Sequence, residues 1–160
     1  MRLNLNSYPR TGGFLACPRP GLLKILIVDD HQYIRRMMRV LLEAEDGWAV
    51  CGEAADGQQA IDQSELLTPR VIILDIHMPV MNGFEATRRI HLRSPGMLIL
   101  ILTSDESPHF ARAAATCGAV GFLSKAQTTD HLVKAILSVL RGERYFLNDR
   151  ADISPVEVRD

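Results

Sequence analysis

The sequence predicts an α/β protein built on a doubly wound parallel sheet. Short, wholly apolar runs alternate along the chain with helix-length segments that carry one apolar stripe. Apolar runs of this length are typical of strands buried on both faces, as in a parallel sheet. Five such strands alternating with five helices form βαβ units with right-handed crossovers, which place helices on both faces of the sheet.

The strands are predicted from the apolar runs in chain order. Four runs are continuous, at residues 24–28, 71–74, 97–102 and 120–123, and residues 48–53 form a weaker fifth candidate. Each run is bounded by turn-forming or charged residues, which favours strands of four to six residues.

The helices are predicted from apolar spacing and from one start signal. Three segments place apolar residues three or four positions apart, so that each forms one buried stripe. The stripes are Ile34, Met37, Met38, Leu41 and Leu42, then Phe110, Ala113, Ala114 and Cys117, and finally Leu132, Ile136, Val139 and Leu140. Asn82 followed by Glu85 predicts another helix start, with Glu85 as the capping-box partner.

The composition narrows the class of protein. The chain has 160 residues, 47% apolar and 23% charged, and its 18 basic and 19 acidic residues give a net charge of -1. Because DNA-binding domains usually carry a basic excess, nucleic acid is not the expected partner. Cys17, Cys51 and Cys117 form no CxxC pair, which favours a reducing cytoplasm over a disulfide framework. No apolar run approaches the ~20 residues of a membrane helix, so no membrane association is expected.

Three segments of the chain are distinguished by composition. Residues 1–21 are rich in Pro, Gly and Asn, and we expect them to form a disordered leader. Residues 22–146 contain every predicted element and form the domain. Residues 147–160 are expected to be a C-terminal tail or a truncated linker.

Polar side chains stand where the predicted strands end. Asp29 and Asp30 follow the first strand, Asp75 follows the third, Thr103 and Ser104 follow the fourth, and Ser124 and Lys125 follow the fifth. Ligands of doubly wound sheets bind beyond the carboxyl ends of the strands. We therefore expect these carboxylates, hydroxyls and the ammonium to gather on one rim.

The residue types on this rim indicate phosphoryl chemistry. Two carboxylates about 4 Å apart repel by roughly 4 kcal/mol at an effective dielectric constant near 20. Mg²⁺, which takes carboxylate, water and phosphate oxygens, relieves this repulsion. Asp75 can then act as a nucleophile toward phosphorus, while Lys125 and Thr103 hold the equatorial oxygens. The predicted chemistry is reversible phosphorylation of Asp75.

Four segments of the sequence resemble the motifs of bacterial response-regulator receiver domains. They are LKILIVDDH, VIILDIHMPVMNG, ILTSDE and GAVGFLSK, in the usual order and spacing, and the resemblance runs from about Leu23 to Tyr145. It implies a flavodoxin-like fold with strand order 2-1-3-4-5. It also implies a regulatory phosphoacceptor rather than an enzyme with a separate substrate, phosphorylated on Asp75 by a sensor histidine kinase or a phosphotransfer protein.

The resemblance also implies a role for individual residues. Mg²⁺ would be bound by Asp30, Asp75 and the backbone carbonyl of His77, with Asp29 acting through water. Lys125 would contact the phosphoryl group. Thr103 and Phe122 match the switch pair, which reorients after phosphorylation and changes the surface of the fourth helix, fifth strand and fifth helix. His77 and Asp105 stand where the family tunes dephosphorylation.

Weaker features resemble the receivers of LuxR/NarL-type transcription regulators. GERYFLND follows the last helix, Ala126 follows Lys125, and residues 153–157 echo the start of a helix-turn-helix domain. The chain is therefore expected to be a stand-alone receiver or one domain of a longer regulator, without specific DNA binding of its own. Homodimerisation on phosphorylation is a further hypothesis.

Other functions fit the sequence less well. A phosphatase of the haloacid-dehalogenase kind needs a second Asp where His77 stands, and no phosphate-binding glycine motif follows the first strand. A receiver-like scaffold that has lost phosphorylation is disfavoured by the intact set of site residues. The five histidines match no zinc motif. The basic runs Arg35-Arg36-Arg39 and Arg88-Arg89-Arg93 are interpreted as solvated helix faces rather than nucleic-acid patches.

Overall fold

A computed structural model describes residues 21–146, so the predicted tail (147–160) and all of the predicted leader except Gly21 lie outside the described residues. The strands are β1 (Leu23–Val28), β2 (Trp48–Ala54), β3 (Val71–Leu74), β4 (Leu98–Thr103), β5 (Gly121–Ser124) and β6 (Tyr145–Phe146). The helices are α1 (Gln32–Glu43), α2 (Gly57–Leu67), α3 (Gly83–Arg93), α4 (Pro108–Thr116) and α5 (Thr128–Leu140). Each predicted strand lies within one residue of an observed one.

The strands form one parallel sheet in the order β2-β1-β3-β4-β5-β6. The predicted order 2-1-3-4-5 is therefore confirmed, and β6 extends it. The side chains on the two faces of the sheet form two separate cores. Residues of α2, α3 and α4 pack on one face, and residues of α1 and α5 pack on the other. This is the doubly wound arrangement that the apolar runs predict.

Strand β6 was not predicted, because two residues show no periodic pattern. It pairs with β5 in parallel register, Gly121 opposite Tyr145 and Phe122 opposite Phe146. The Tyr145 N–H donates to the Val120 carbonyl at 3.0 Å. A Cβ at position 121 would come within 2.9 Å of the Tyr145 carbonyl oxygen, so the absent side chain of Gly121 lets β6 approach.

The predicted stripe on α4 is partly wrong. The buried residues of this helix are Ala111 and Ala114, whereas Phe110 is only half-buried. Phe110 instead stacks on Phe84 of α3, with ring centroids 5.6 Å apart, and its ring meets His77 edge-on at 5.8 Å. Small alanines bring α4 close to the sheet, and the large aromatic ring closes the gap between two helices at the surface.

Two polar predictions about the helices need correction. Asn82 caps α3 as expected, since its Oδ1 accepts the Glu85 N–H at 3.0 Å. The Glu85 carboxylate, however, binds Arg88 and Arg89 instead of completing the capping box. Arg35 is not part of a solvated face, because its side chain is 15% exposed and binds Glu53 of β2. Within residues 21–146, no helix is both long and apolar enough to cross a membrane.

Candidate functional site

Three of the predicted site residues meet at the carboxyl ends of the central strands. Lys125 Nζ lies 2.6 Å from Oδ2 of Asp29 and 3.0 Å from Oδ2 of Asp75. The two carboxylates are 1% and 4% exposed, respectively. One ammonium group is therefore shared by two buried carboxylates that are far apart in the sequence.

Backbone hydrogen bonds hold both carboxylates in place. The Asp75 N–H donates to the Val28 carbonyl at 2.9 Å and so continues the sheet beyond β3. Oδ1 of Asp75 accepts the N–H of Ile76 at 2.8 Å, and Oδ1 of Asp29 accepts the N–H of His31 at 2.8 Å. Each carboxylate thus has Oδ1 fixed by the backbone and Oδ2 turned toward Lys125.

The charges of this cluster do not balance. Burial raises the pKa of Asp75, and the nearby charge of Asp29 raises it further, while Lys125 lowers it only in part. Burial lowers the pKa of Lys125, but the interactions of its ammonium group with the carboxylates of Asp29 and Asp75 outweigh this effect, so its pKa is raised. Lys125 is therefore an ammonium ion at neutral pH, and the cluster holds more negative than positive charge.

The acidic side of the cluster fits a divalent cation. Oδ2 of Asp29 is one of the buried side-chain oxygens within residues 21–146 that accept no hydrogen bond. Its contact with the Lys125 ammonium is an ion pair. The ligand atoms of Asp29, Asp30 and His31 lie within 4.8 Å of one another. Carboxylate oxygens are the donors that Mg²⁺ prefers. His31, to which no role was assigned from the sequence, places its Nδ1 2.9 Å from Oδ1 of Asp30.

Thr103 and Phe122 lie on neighbouring strands beside this cluster. Both are buried, at 0% and 1% exposure. Phe122 pairs with Ile101, two residues before Thr103, so Thr103 and Phe122 face the same side of the sheet. Oγ1 of Thr103 accepts the N–H of Asp105 at 3.3 Å. The hydroxyl therefore already holds the first part of the loop that leads to α4.

An open depression of about 530 Å³ borders the site, and its walls are His77, Ser104, Asp105 and Glu106. These residues come from the two loops that follow β3 and β4. The side chains of His77 and Asp105 thus line the same opening, as their positions two residues beyond Asp75 and Thr103 suggested.

Two residues that support the site were not predicted. Arg35 Nη1 donates to the backbone carbonyl of Asp29 at 2.7 Å, which ties α1 to the end of β1. A Cβ at Gly83 would overlap the carbonyl oxygen of Asp75 and lie 2.8 Å from the Cα of Ile76. Helix α3 therefore starts in direct contact with the backbone of Asp75. The motif ending in Asn82-Gly83 was a signal for this contact, but spacing alone does not reveal which atoms meet.

Comparison with known proteins identifies this arrangement. The family model described as the response regulator receiver domain matches residues 25–137, more than half of the chain. The chain belongs to the response regulator receiver domain family. As a receiver domain it has a regulatory role in phosphorylation-dependent two-component signalling, and its relatives include LuxR-family regulators of transcription.

The relatives of this receiver domain are longer proteins. It is 34% identical to the transcriptional regulatory protein DegU of Brevibacillus brevis, over 77% of this chain and 52% of that protein. It is 35% identical to the response regulator UvrY of Escherichia coli, over 81% of this chain and 60% of that protein. The chain thus spans between half and three fifths of the length of these relatives.

A solved structure shows the same fold. The crystal structure of a LuxR-family two-component response regulator from Aurantimonas superposes with a TM-score of 0.75 and is 36% identical. The match covers 78% of this chain and 89% of that one. The flavodoxin-like α/β fold of the receiver domain is confirmed by this agreement and by the strand order.

Proposed function

We propose that this receiver domain accepts a phosphoryl group on Asp75 from a sensor histidine kinase or a phosphotransfer protein, in a Mg²⁺-dependent reaction. The observation that carries the proposal is the position of Lys125 Nζ between the buried carboxylates of Asp29 and Asp75. A carboxylate that is half-neutralised by a neighbouring ammonium can attack phosphorus, and the same ammonium can then stabilise the incoming oxygens.

The phosphoryl transfer forms one bond and breaks one. A carboxylate oxygen of Asp75 attacks phosphorus as the bond between phosphorus and the donor's histidine nitrogen breaks. The electron pair of that bond returns to the nitrogen, and because the other ring nitrogen of the phosphohistidine carries a proton, the donor leaves as neutral imidazole. Lys125 turns from Oδ2 of Asp75 to an oxygen of the transferred group. Asp30, Asp75 and the backbone carbonyl of His77 would hold Mg²⁺, with Asp29 acting through water. The metal supplies positive charge against the phosphoryl oxygens.

Phosphorylation would act on the surface formed by α4, β5 and α5. The phosphoryl group adds about -1.5 to -2 charges and three acceptor oxygens. Thr103 can turn its hydroxyl toward these oxygens, which leaves space for Phe122 on the same face of the sheet. A ligand shifts a conformational equilibrium only by binding two states differently. The contact of Thr103 with the phosphoryl group supplies that difference, and the surface then controls a partner or an output domain.

The same proposal covers the lifetime of the phosphoryl group and the assembly of the protein. His77 and Asp105, at the mouth of the site, tune access of water to the phosphoryl group. The altered surface forms a homodimer, which sedimentation with and without beryllofluoride tests; identical sedimentation values would remove dimerisation as the output.

We place the protein in the cytoplasm, as its cysteine pattern led us to expect, and assign no specific DNA binding to residues 22–146.

Phosphorylation with a small phosphodonor and Mg²⁺ tests the proposal. We expect stoichiometric, acid-stable and base-labile labelling of the wild type and none of Asp75→Asn. Asp62→Asn is the matched control, because Asp62 is an exposed carboxylate on α2, and it should be labelled like the wild type. Labelling of Asp75→Asn at the same loop, or rapid turnover of the small donor without accumulation of labelled protein, as in a phosphatase, would reject the proposal.

A further inference from the structure

A buried hydroxyl at the end of β5 binds the loop that follows β4. Oγ of Ser124 donates to Oε1 of Glu106 at 2.6 Å, across 18 positions of sequence. Ser124 is 5% exposed and immediately precedes Lys125. Glu106 is exposed and lies three residues after Thr103. The hydrogen bond therefore joins the neighbours of two residues that we assign to the phosphoryl group.

The same hydroxyl shapes the turn that begins with Lys125. Residues Lys125–Gln127 form a single 3₁₀ turn with Ser124 as its N-cap. Oγ of Ser124 accepts the Ala126 N–H at 3.3 Å. A hydroxyl has one proton, so donation to Glu106 fixes its direction and leaves a lone pair for Ala126. Glu106 thus holds the cap, and the cap holds the backbone of Lys125.

Glu106 is itself held by the loop that follows Thr103. The Asp105 N–H donates to Oγ1 of Thr103 at 3.3 Å, and Oδ1 of Asp105 accepts the Ser107 N–H at 2.9 Å. Glu106 lies between these two anchored residues. When the Thr103 hydroxyl turns toward a phosphoryl group, Asp105 loses its acceptor, so a change at Thr103 reaches Glu106 first and Lys125 next.

We propose that Glu106 is a positioning residue that couples Thr103 to Lys125 through the hydroxyl of Ser124. This inference rests on the proposed function, because it assigns a role in the binding of the same phosphoryl group. Glu106 does not contact that group. Its loss frees the Ser124 hydroxyl, loosens the cap and lets Lys125 leave the orientation in which its ammonium faces Asp75.

Titration with beryllofluoride and Mg²⁺, followed by calorimetry, tests this role on the full chain. We expect Glu106→Ala to bind beryllofluoride about tenfold more weakly, which corresponds to about 1.4 kcal/mol, within the range of a charge-assisted hydrogen bond. Glu106→Gln keeps an acceptor oxygen and should recover most of the affinity. Glu45→Ala removes an equal, exposed charge at the opposite end of the sheet and should bind like the wild type.

Two further measurements separate positioning from a merely structural role. Hydrogen exchange of the Ala126 amide should be faster in Glu106→Ala, and the affinity loss of Thr103→Ala with Glu106→Ala should be smaller than the two single losses combined. Wild-type affinity together with unchanged Ala126 exchange would overturn the inference, as would additive losses. Failure of the wild type to bind beryllofluoride would instead reject the proposed function.

Discussion

Asp29 and Asp75 share a single ammonium group, and this sharing sets the chemistry of the site at the scale of residues. Each carboxylate is buried and has one oxygen held by the backbone, so neither can turn away from the other. The remaining negative charge favours a cation, as the proposed function requires. The arrangement follows from where the strands end, which is why the sequence was sufficient to predict it.

Thr103 gives the first prediction at this scale. Thr103→Ala should retain most phosphorylation of Asp75 but lose much of the chemical-shift change that phosphorylation produces in α4, β5 and α5, because the hydroxyl that responds to the new charge is gone. Labelling with the small phosphodonor measures uptake, and NMR spectra with and without beryllofluoride measure the response. Thr103→Ser keeps the hydroxyl and serves as the control. Equal loss of uptake and response in Thr103→Ala would contradict the switch role.

Residue pairs that join different loops could not be predicted from the sequence. The bond between Glu106 and Ser124 depends on the path of the loop after β4, and the bond between Arg35 and Asp29 depends on how α1 lies against the sheet. The sequence spacing of neither pair follows the regular repeat of a helix or a strand. Residues at strand ends were predictable because the topology of a parallel sheet brings those ends to one edge.

Helix α3 illustrates how an element positions Asp75, the proposed phosphoacceptor. Its first residue, Gly83, touches the backbone of Asp75 and Ile76, and the Gly83 N–H donates to the Ile76 carbonyl at 2.9 Å. The start of the helix therefore fixes the position of the backbone that follows β3. Any side chain at this position would displace the backbone of Asp75 and Ile76.

Substitution of Gly83 tests this contact. Gly83→Ala should lower the free energy of unfolding by about 1–3 kcal/mol, the usual cost of overpacking, and should slow phosphorylation because Asp75 is displaced. Gly96→Ala is the control, since a Cβ there meets nothing within 4 Å, and it should leave both quantities unchanged. Chemical denaturation and labelling rates provide the measurements. Equal stability of the two variants would contradict a tight contact.

Helix α1 is tied to β2 by a carboxylate that binds two arginines. Burial raises the pKa of Glu53, but hydrogen bonds from Arg39 and Arg35 outweigh it and hold the pKa below its usual value. Because the pKa is lower in the folded state, the ion pairs stabilise the fold above the unfolded pKa of about 4.3. This contribution is lost as the pH falls through the lowered folded pKa.

Glu53→Gln tests this dependence on pH. We expect it to cost about 1–2 kcal/mol of unfolding free energy at pH 7, because the carboxylate binds two guanidinium groups at a partly buried position. The difference from the wild type should shrink below about pH 4. Glu43→Gln removes a more exposed partner of Arg39 and should cost about 0.5 kcal/mol or less. Denaturation curves at several pH values decide between these outcomes; a difference that does not vary with pH would contradict the ion-pair explanation.

Most elements were predictable because their patterns are long and regular. The apolar runs of β1, β3, β4 and β5 are short and bounded by turn-forming or charged residues, which favours buried strands over helices. The buried face of α4 was misjudged, because a ring as large as Phe110 looks like core whereas the contact between helix and sheet is made by Ala111 and Ala114. The size of an apolar side chain alone does not show whether it packs in the core or, like Phe110, between two helices at the surface.

At the scale of the whole molecule, cation binding should be linked to folding. A ligand that binds only the folded state at about one hundred times its Kd stabilises that state by about 2.7 kcal/mol. Mg²⁺ at such a concentration should therefore raise the Tm of the wild type. Asp30→Asn should lose most of this rise and Asp62→Asn should keep it. A rise of the same size in Asp30→Asn would show that Mg²⁺ binds elsewhere.

The short strand β6 decides where the polypeptide leaves the domain. Phe146 pairs in register with Phe122, and the Tyr145 hydroxyl lies 3.0 Å from Nδ1 of His131 on α5. The exit point is thus anchored beside the aromatic ring that we assign to the switch. For protein engineering, this makes position 146 the natural place to attach a fluorophore, whose anisotropy would respond to rearrangement of that ring without a probe inside the reactive centre.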